Sequence, residues 1–207
     1  MGLIRKITQE TKYKFLNFFT FDVTHKSGRD SKYFVASRAK TMEELKAVTH
    51  ENNADGVIIF SVYGEKRDKV VLIRQYRYPI DGYIYEFPAG LCEDGEDFKE
   101  AGIRELKEET GLDLQAIDVP DMYSKPFFTT IGMTDESCGT VYGYASGKPS
   151  LDGQEDSEEI QIVIADKEEV RRILKEENVA IMCAYQLMHF LESEEGNPFY
   201  FLGEKKN

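Results

Sequence analysis

The order of elements along the chain predicts an α/β protein: a mixed sheet sandwiched between helices, preceded by a small antiparallel β subdomain. Three observations carry this. GVIIFSVY (56–63) and KVVLIRQY (69–76) are strongly apolar runs joined by GEKRD, which marks a hairpin inside a sheet core. A helix over 98–110 follows, with Asp97 as N-cap, Glu100 at the third helical position and Gly111 as the left-handed stop. Beyond residue 159 the pattern runs strand, helix, helix.

Taken in order, KYKFLNFFTFDV (12–23) is aromatic-rich with imperfect alternation, HKSGRDS (25–31) is a turn and KYFVAS (32–37) reads as a returning strand. Thr41 and Glu44 form a T-x-x-E capping box for a short helix over 42–49, and ENNADG (51–56) then breaks the chain. The expected division is 1–50, a β subdomain, and 51–207, the main domain. After the core hairpin, YIYEF (83–87) adds a strand and PAGLCEDGE (88–96) reads as a glycine-bearing loop. Strands are expected near 122–129 and 138–146, then a loop GKPSLDGQEDSEE and a strand EIQIVIA (159–165). Asp166 and Glu169 cap a helix over 167–176, and NVAIMCAYQLMHFLES carries a final amphipathic helix.

Length and charge narrow the function. A chain of 207 residues suits one sizeable domain plus a small subdomain. No apolar run approaches the ~18–20 residues that span a bilayer, and MGLIRKITQE lacks the apolar core of a secretory signal. A cytoplasmic protein is therefore expected. Cys92, Cys138 and Cys183 are odd in number and widely spaced, as in neither a disulfide framework nor a metal clip. A net charge of -12 repels phosphate backbones and acidic membrane surfaces, so neither nucleic acid nor membrane is expected as a partner. A small anionic ligand remains compatible with that charge, because local cations outweigh a distant field.

One helix concentrates negative charge. In GIRELKEETGL (102–112), Glu105, Glu108 and Glu109 project together at roughly 0°, 300° and 40° around the axis, and such spacings repel. A solvated acidic face is one explanation. A hard divalent cation, which prefers oxygen ligands, is the other. The wider spacing separates them. From Gly90 the sequence runs G-x5-E-x7-R-E-L-x-E-E-x-G-L, fixed by Gly90, Glu96, Arg104, Glu105, Leu106, Glu108, Glu109, Gly111 and Leu112. Nine specified positions arise by chance at roughly one in 10⁸ per window.

This pattern is the complete Nudix box, and the chain resembles the Nudix hydrolases, which cleave a nucleoside diphosphate linked to another moiety. The resemblance implies an α/β/α sandwich in which the box forms loop, helix and loop. It further implies that Glu105, Glu108 and Glu109 bind Mg²⁺ (or Mn²⁺) with the backbone carbonyl of Ala89, and that Arg104 and Glu96 orient them. A diphosphate is shielded by its own negative oxygens, so its hydrolysis needs cations to neutralise them and a base to take a water proton. The family often draws that base from a loop outside the box. Here QEDSEE (154–159) is the candidate stretch, with Glu158 favoured over Asp156 by position; an exposed acidic turn is the alternative.

Three flanking stretches look like the ADP-ribose and nucleoside-diphosphate-sugar branch: RQYRYPI (74–80), YEFPAGL (85–91) and IGMTDE (131–136). In that branch the arginine matching Arg77 contacts the diphosphate, and the sheet-bearing subdomain builds a homodimer that helps to stack the base. Arg77 by itself suits phosphate or an edge-strand salt bridge equally. Phe18, Phe19, Phe21, Tyr33 and Phe34 are the aromatic candidates on that subdomain, with none singled out. Enzymes of the branch carry a proline before the glycine of the turn after the box, whereas Ile131 precedes Gly132 here and Pro126 lies outside it. ADP-ribose, cleaved to AMP and ribose 5-phosphate, is the first expected substrate. UDP-glucose, GDP-mannose and a non-catalytic sensing module are the alternatives.

Overall fold

In the computed structural model, which describes residues 2–93, 95–153 and 159–203, the chain divides into two units, Met1–Asp55 with Pro126–Cys138, and Gly56–Lys125 with Gly139–Asn207. The first is built on a three-stranded antiparallel sheet, β1 (Leu3–Gln9), β2 (Asn17–Thr24) and β3 (Asp30–Ser37), in the order β1-β2-β3. Alternation sorts its side chains by face. Phe19, Phe21 and Val35 pack with Leu45 into a small core, whereas Phe18 and Phe34 stack at 5.9 Å and stay exposed. β1 was not expected, because LIRKITQ shows little apolar alternation; pairing with β2, from Leu3 opposite Thr24 to Gln9 opposite Phe19, makes it a strand.

The short helix over 42–49 is divided. A 3₁₀ turn spans Met42–Glu44, α1 spans Lys46–Thr49, and Thr41 makes no capping bond. Glu44 instead accepts the Lys40 N–H at 2.7 Å, so the box pattern is present and its geometry is not. Residues 126–138 return to this unit: Tyr33 Oη donates to the Gly132 carbonyl at 2.8 Å, and the Ala36 N–H donates to the Met133 carbonyl. The strand expected over 122–129 is a helical turn, α3 (Asp121–Ser124), followed by β9 (Phe127–Phe128), which pairs with Cys138 and Ser137.

The second unit holds the main sheet. β4 (Gly56–Tyr63), β5 (Lys69–Arg77), β6 (Gly82–Glu86), β7 (Ala89–Leu91), β8 (Asp113–Ala116), β10 (Ser137–Ser146) and β11 (Ile160–Ala165) belong to it, in the order β11-β5-β4-β10-β8, with β6 on β5 and β7 on β4. Period-two alternation sends Val57, Ile59 and Val71 to one face, against α2 (Phe98–Thr110), and Phe60, Val62, Val70 and Leu72 to the other. α4 (Lys167–Glu176) and α5 (Ile181–Glu192) cover that second face through Val170, Ile173, Leu187 and Phe190. This is the expected sandwich. Burying a leucine such as Leu106 completely contributes about 1.5–3 kcal/mol, which holds α2 down despite its charge.

The core hairpin is shorter than its sequence implied. Only Val62–Val70 and Tyr63–Lys69 pair directly, because Gly56–Ile58 turn to β7 and the far half of β5 turns to β6. Phe199 and Leu202, beyond α5, join the aromatic side of this core beside Phe60 and Tyr142. Cys183 is buried there, and burial pushes its thiol up, so it stays protonated. No helix of the described residues is long and apolar enough to cross a membrane.

Candidate active site

The acidic helix begins where its cap was expected, Asp97 accepting the Lys99 N–H at 2.9 Å, and ends at Gly111 with φ 71°. A side-chain cap of this kind contributes about 1 kcal/mol. On this rigid element Arg104 is the hub. Its Nε and Nη2 donate to the two Glu96 carboxylate oxygens at 3.0 and 2.9 Å, its Nη1 donates to Glu105 at 2.9 Å and Glu108 at 3.1 Å, and Nη2 also reaches the Leu91 carbonyl at 3.1 Å. The fork geometry of guanidinium makes this sharing feasible where an ammonium would serve one partner at a time.

Glu96 is held from two sides. Arg104, then the Glu93 N–H, keep its carboxyl below the usual carboxylate range, with burial opposing, and Arg104 is in turn held more firmly protonated, first by Glu96. A lowered folded pKa means the stabilisation is present above the ordinary carboxylate pKa and is lost as the pH falls through the folded value. Wild type and Glu96→Gln should therefore differ in thermal midpoint by a constant amount at neutral pH, and the gap should close in acid. A gap that persists undiminished at low pH would show that Arg104 does not hold Glu96.

Glu109 takes a different place. It is only 2% exposed, and its Oε2 accepts the Ala89 N–H at 3.0 Å. Ala89 thus meets the cluster through its N–H, and the Leu91 carbonyl joins as a partner of Arg104; both are backbone contacts with no signature in the sequence. Gly90 explains itself by volume. A Cβ there would fall 1.8 Å from Glu105 Cδ and about as close to both carboxylate oxygens, so only glycine lets Glu105 lie against β7. Gly90 lies in strand pairing with Val57, and of the two motif glycines it is Gly111, at φ 71°, that turns the chain.

Glu105 and Glu109 thus lie beside the Ala89–Gly90 backbone, and the more exposed Glu108 is joined to Glu105 through Arg104. Among the described residues no group of three or more carboxylate, imidazole or thiol side chains stands ready to hold a cation as placed, since Arg104 occupies Glu105 and Glu108. The donor set itself fits: hard carboxylate oxygens, one of them in a cradle that a Cβ would fill, are what Mg²⁺ and Mn²⁺ prefer.

The remaining candidates are placed as follows. Arg77, at the end of β5, donates from Nε to Glu86 at 2.7 Å and keeps a half-exposed side chain. Glu158 and Asp156 lie outside the described residues. Glu159 belongs to the face of β5 and β6 turned away from α2, where its carboxylate accepts the Tyr83 hydroxyl. Ser150 and Gly153, leading toward that acidic stretch, touch the end of α2: the Ser150 N–H donates to the Thr110 carbonyl at 2.9 Å, and a Cβ on Gly153 would sit 3.0 Å from the Glu108 carbonyl. Of the aromatic candidates, Phe19 and Phe21 are core residues and Phe18, Tyr33 and Phe34 are exposed.

A family model described as NUDIX domain matches residues 52–185, and the chain belongs to the Nudix family. Within that family its similarity extends to particular proteins. An ADP-ribose pyrophosphatase of Saccharomyces cerevisiae is 36% identical over 93 residues, covering 43% of this chain and 40% of its own. An ADP-sugar pyrophosphatase of Mus musculus is 40% identical over 77 residues, covering 36% of this chain and 35% of its own. The matches thus span less than half the length of either relative. A crystal structure of an ADP compounds hydrolase superposes with a TM-score of 0.62 over 84% of this chain and 83% of that one, at 19% identity, a likeness of fold.

Proposed function

We propose that the protein is a Mg²⁺- or Mn²⁺-dependent pyrophosphatase that cleaves the diphosphate of ADP-ribose to AMP and ribose 5-phosphate, or of a related nucleoside diphosphate sugar. The observation that carries this is the placement of Glu105, Glu108 and Glu109 on one helix, Glu105 and Glu109 against the Ala89–Gly90 backbone and Glu108 joined to Glu105 through Arg104, which Glu96 anchors. The names of the relatives point to ADP-ribose and ADP-sugars as the substrate class.

Each residue then has a task. Glu105, Glu108 and Glu109, with the Ala89 carbonyl, would hold the cation, which when bound supplies neutralisation of the diphosphate and an acidified water. Arg104 keeps two of these carboxylates at a fixed spacing, and Glu96 anchors Arg104 in turn. Arg77 is proposed to exchange Glu86 for a diphosphate oxygen, a switch that its half-exposed fork permits. Glu158 is proposed as the base; with the Glu159 carboxylate engaged by Tyr83 on the opposite face, Glu158 and its neighbours within 154–158 remain for that role.

The test is phosphate released after phosphatase coupling, from full-length protein with Mg²⁺, against ADP-ribose, UDP-glucose, GDP-mannose, NADH, coenzyme A and 8-oxo-dGTP. ADP-ribose should be turned over fastest. Preference for another sugar nucleotide moves the substrate and keeps the chemistry, whereas binding of ADP-ribose without turnover makes the protein a sensing module.

The same reading includes a cytoplasmic homodimer formed through the first unit. Its support is the exposed, stacked pair Phe18 and Phe34 on the outward face of the three-stranded sheet. Phe18→Ser with Phe34→Ser should yield monomers by light scattering with the fold intact by circular dichroism, and an unchanged dimer would refute this interface.

A further inference from the structure

Two glycines outside the nine defining positions lie where α2 meets β10. A Cβ on Gly102 would come within 2.9 Å of Val141 Cγ2 and 3.1 Å of Val141 Cβ, with Val57 Cγ2 at 3.4 Å. A Cβ on Gly139, in β10, would come within 2.8 Å of Cδ2 of Phe98, the first residue of α2. Carbon atoms in contact normally lie about 3.5–4.0 Å apart, so at Gly102 the helix backbone is closer to β10 than alanine allows, and at Gly139 the Phe98 ring is closer to β10 than alanine allows. Val141 cannot yield by rotation alone: it is buried, it branches at Cβ, and Cβ itself is one of the close atoms.

The depth matters because of what shares the face. Gly102 precedes Glu105 by three residues and Glu109 by seven, both helical repeats, so all three project toward the sheet side. Little slack exists there. Glu109 Oε2 lies 3.0 Å from the Ala89 nitrogen, and Glu105 fills the space that Gly90 leaves vacant. A packed helix moves as a unit, so lifting it at residue 102 draws both carboxylates away from β7. Nor does local propensity account for Gly102, since glycine is a poor choice for a helix interior.

We propose that Gly102 and Gly139 are positioning residues: they seat the carboxylate-bearing helix low enough on β10 for Glu105 and Glu109 to meet the Ala89–Gly90 backbone, and so set the affinity for the divalent cation. This rests on the reading of the glutamate cluster as a cation site.

The experiment is a calorimetric titration of Mn²⁺ onto the full chain, in wild type, Gly102→Ala, Gly139→Ala, Val141→Ala and the Gly102→Ala/Val141→Ala pair, with helix content followed by circular dichroism. Gly102→Ala should bind about 3- to 10-fold more weakly, as a displacement of a few tenths of an ångström predicts, although alanine is the better helix former. Gly139→Ala should weaken binding in the same direction. Removing the Val141 methyls takes away the closest contact, at Cγ2, and leaves the one at Cβ, so the pair should recover most of the loss and lie closer to Val141→Ala alone than to Gly102→Ala. Wild-type affinity in both glycine variants, or a pair no better than Gly102→Ala, overturns the proposal and leaves the cation site standing. Absence of Mn²⁺ binding in wild type overturns the cation site itself.

Discussion

Glu109→Gln is expected to lower turnover by about 10³-fold or more while the thermal midpoint in EDTA stays equal or rises. Losing one carboxylate of a cation site removes several kcal/mol of transition-state stabilisation, and each 1.36 kcal/mol is a factor of ten. Folding responds the other way. The amide oxygen of glutamine still accepts the Ala89 N–H, and a neutral group is cheaper to keep in a place only 2% exposed. Steady-state kinetics with Mg²⁺ and a melting curve without it test both halves. Unchanged turnover would remove Glu109 from the site, and a midpoint several degrees lower would make it a structural carboxylate.

Gly90→Ala is expected to cost about 10²-fold in turnover with secondary structure retained, because the catalytic geometry shifts and the fold does not. The new methyl would stand within bonding distance of Glu105 Cδ, so the carboxylate must leave its place against β7 and its bond to Arg104 Nη1. The strand itself has room to remain: Gly90 pairs with Val57 in extended backbone that alanine adopts readily. Activity within a few-fold of wild type, measured beside an unchanged far-ultraviolet spectrum, would show that Glu105 functions from elsewhere.

How much of this could be read beforehand depends on whether a signal was local. α2 was legible because Asp97 and Gly111 bracket it and both form the contacts their chemistry suggests. α4 was legible for the same reason, with Asp166 accepting from the Glu168 and Glu169 N–H groups. β7 was not, since Ala89–Leu91 has no strand character of its own and is extended by pairing with β4. The return of residues 126–138 to the first unit is equally nonlocal, resting on contacts such as Tyr33 with Gly132. In the candidate site, the spacing named the carboxylates and Arg104, but the distribution of the guanidinium over three carboxylates and the Leu91 carbonyl, and the volume left by Gly90, are facts of packing. Arg77 shows the limit: both of its sequence readings survive, because the Glu86 pair leaves its fork half exposed.

The joining of Phe199 and Leu202 to the core around Phe60 has a consequence for biosynthesis. While the ribosome is still making the helices, Phe60, Val62, Val70 and Leu72 already exist as apolar strands whose cover has not been translated. Domains fold as units, and such surfaces invite aggregation until they close. The main sheet therefore stays open on its aromatic side until nearly the whole second unit has emerged, and nascent chains stalled between residues 165 and 199 are the species that chaperones should hold.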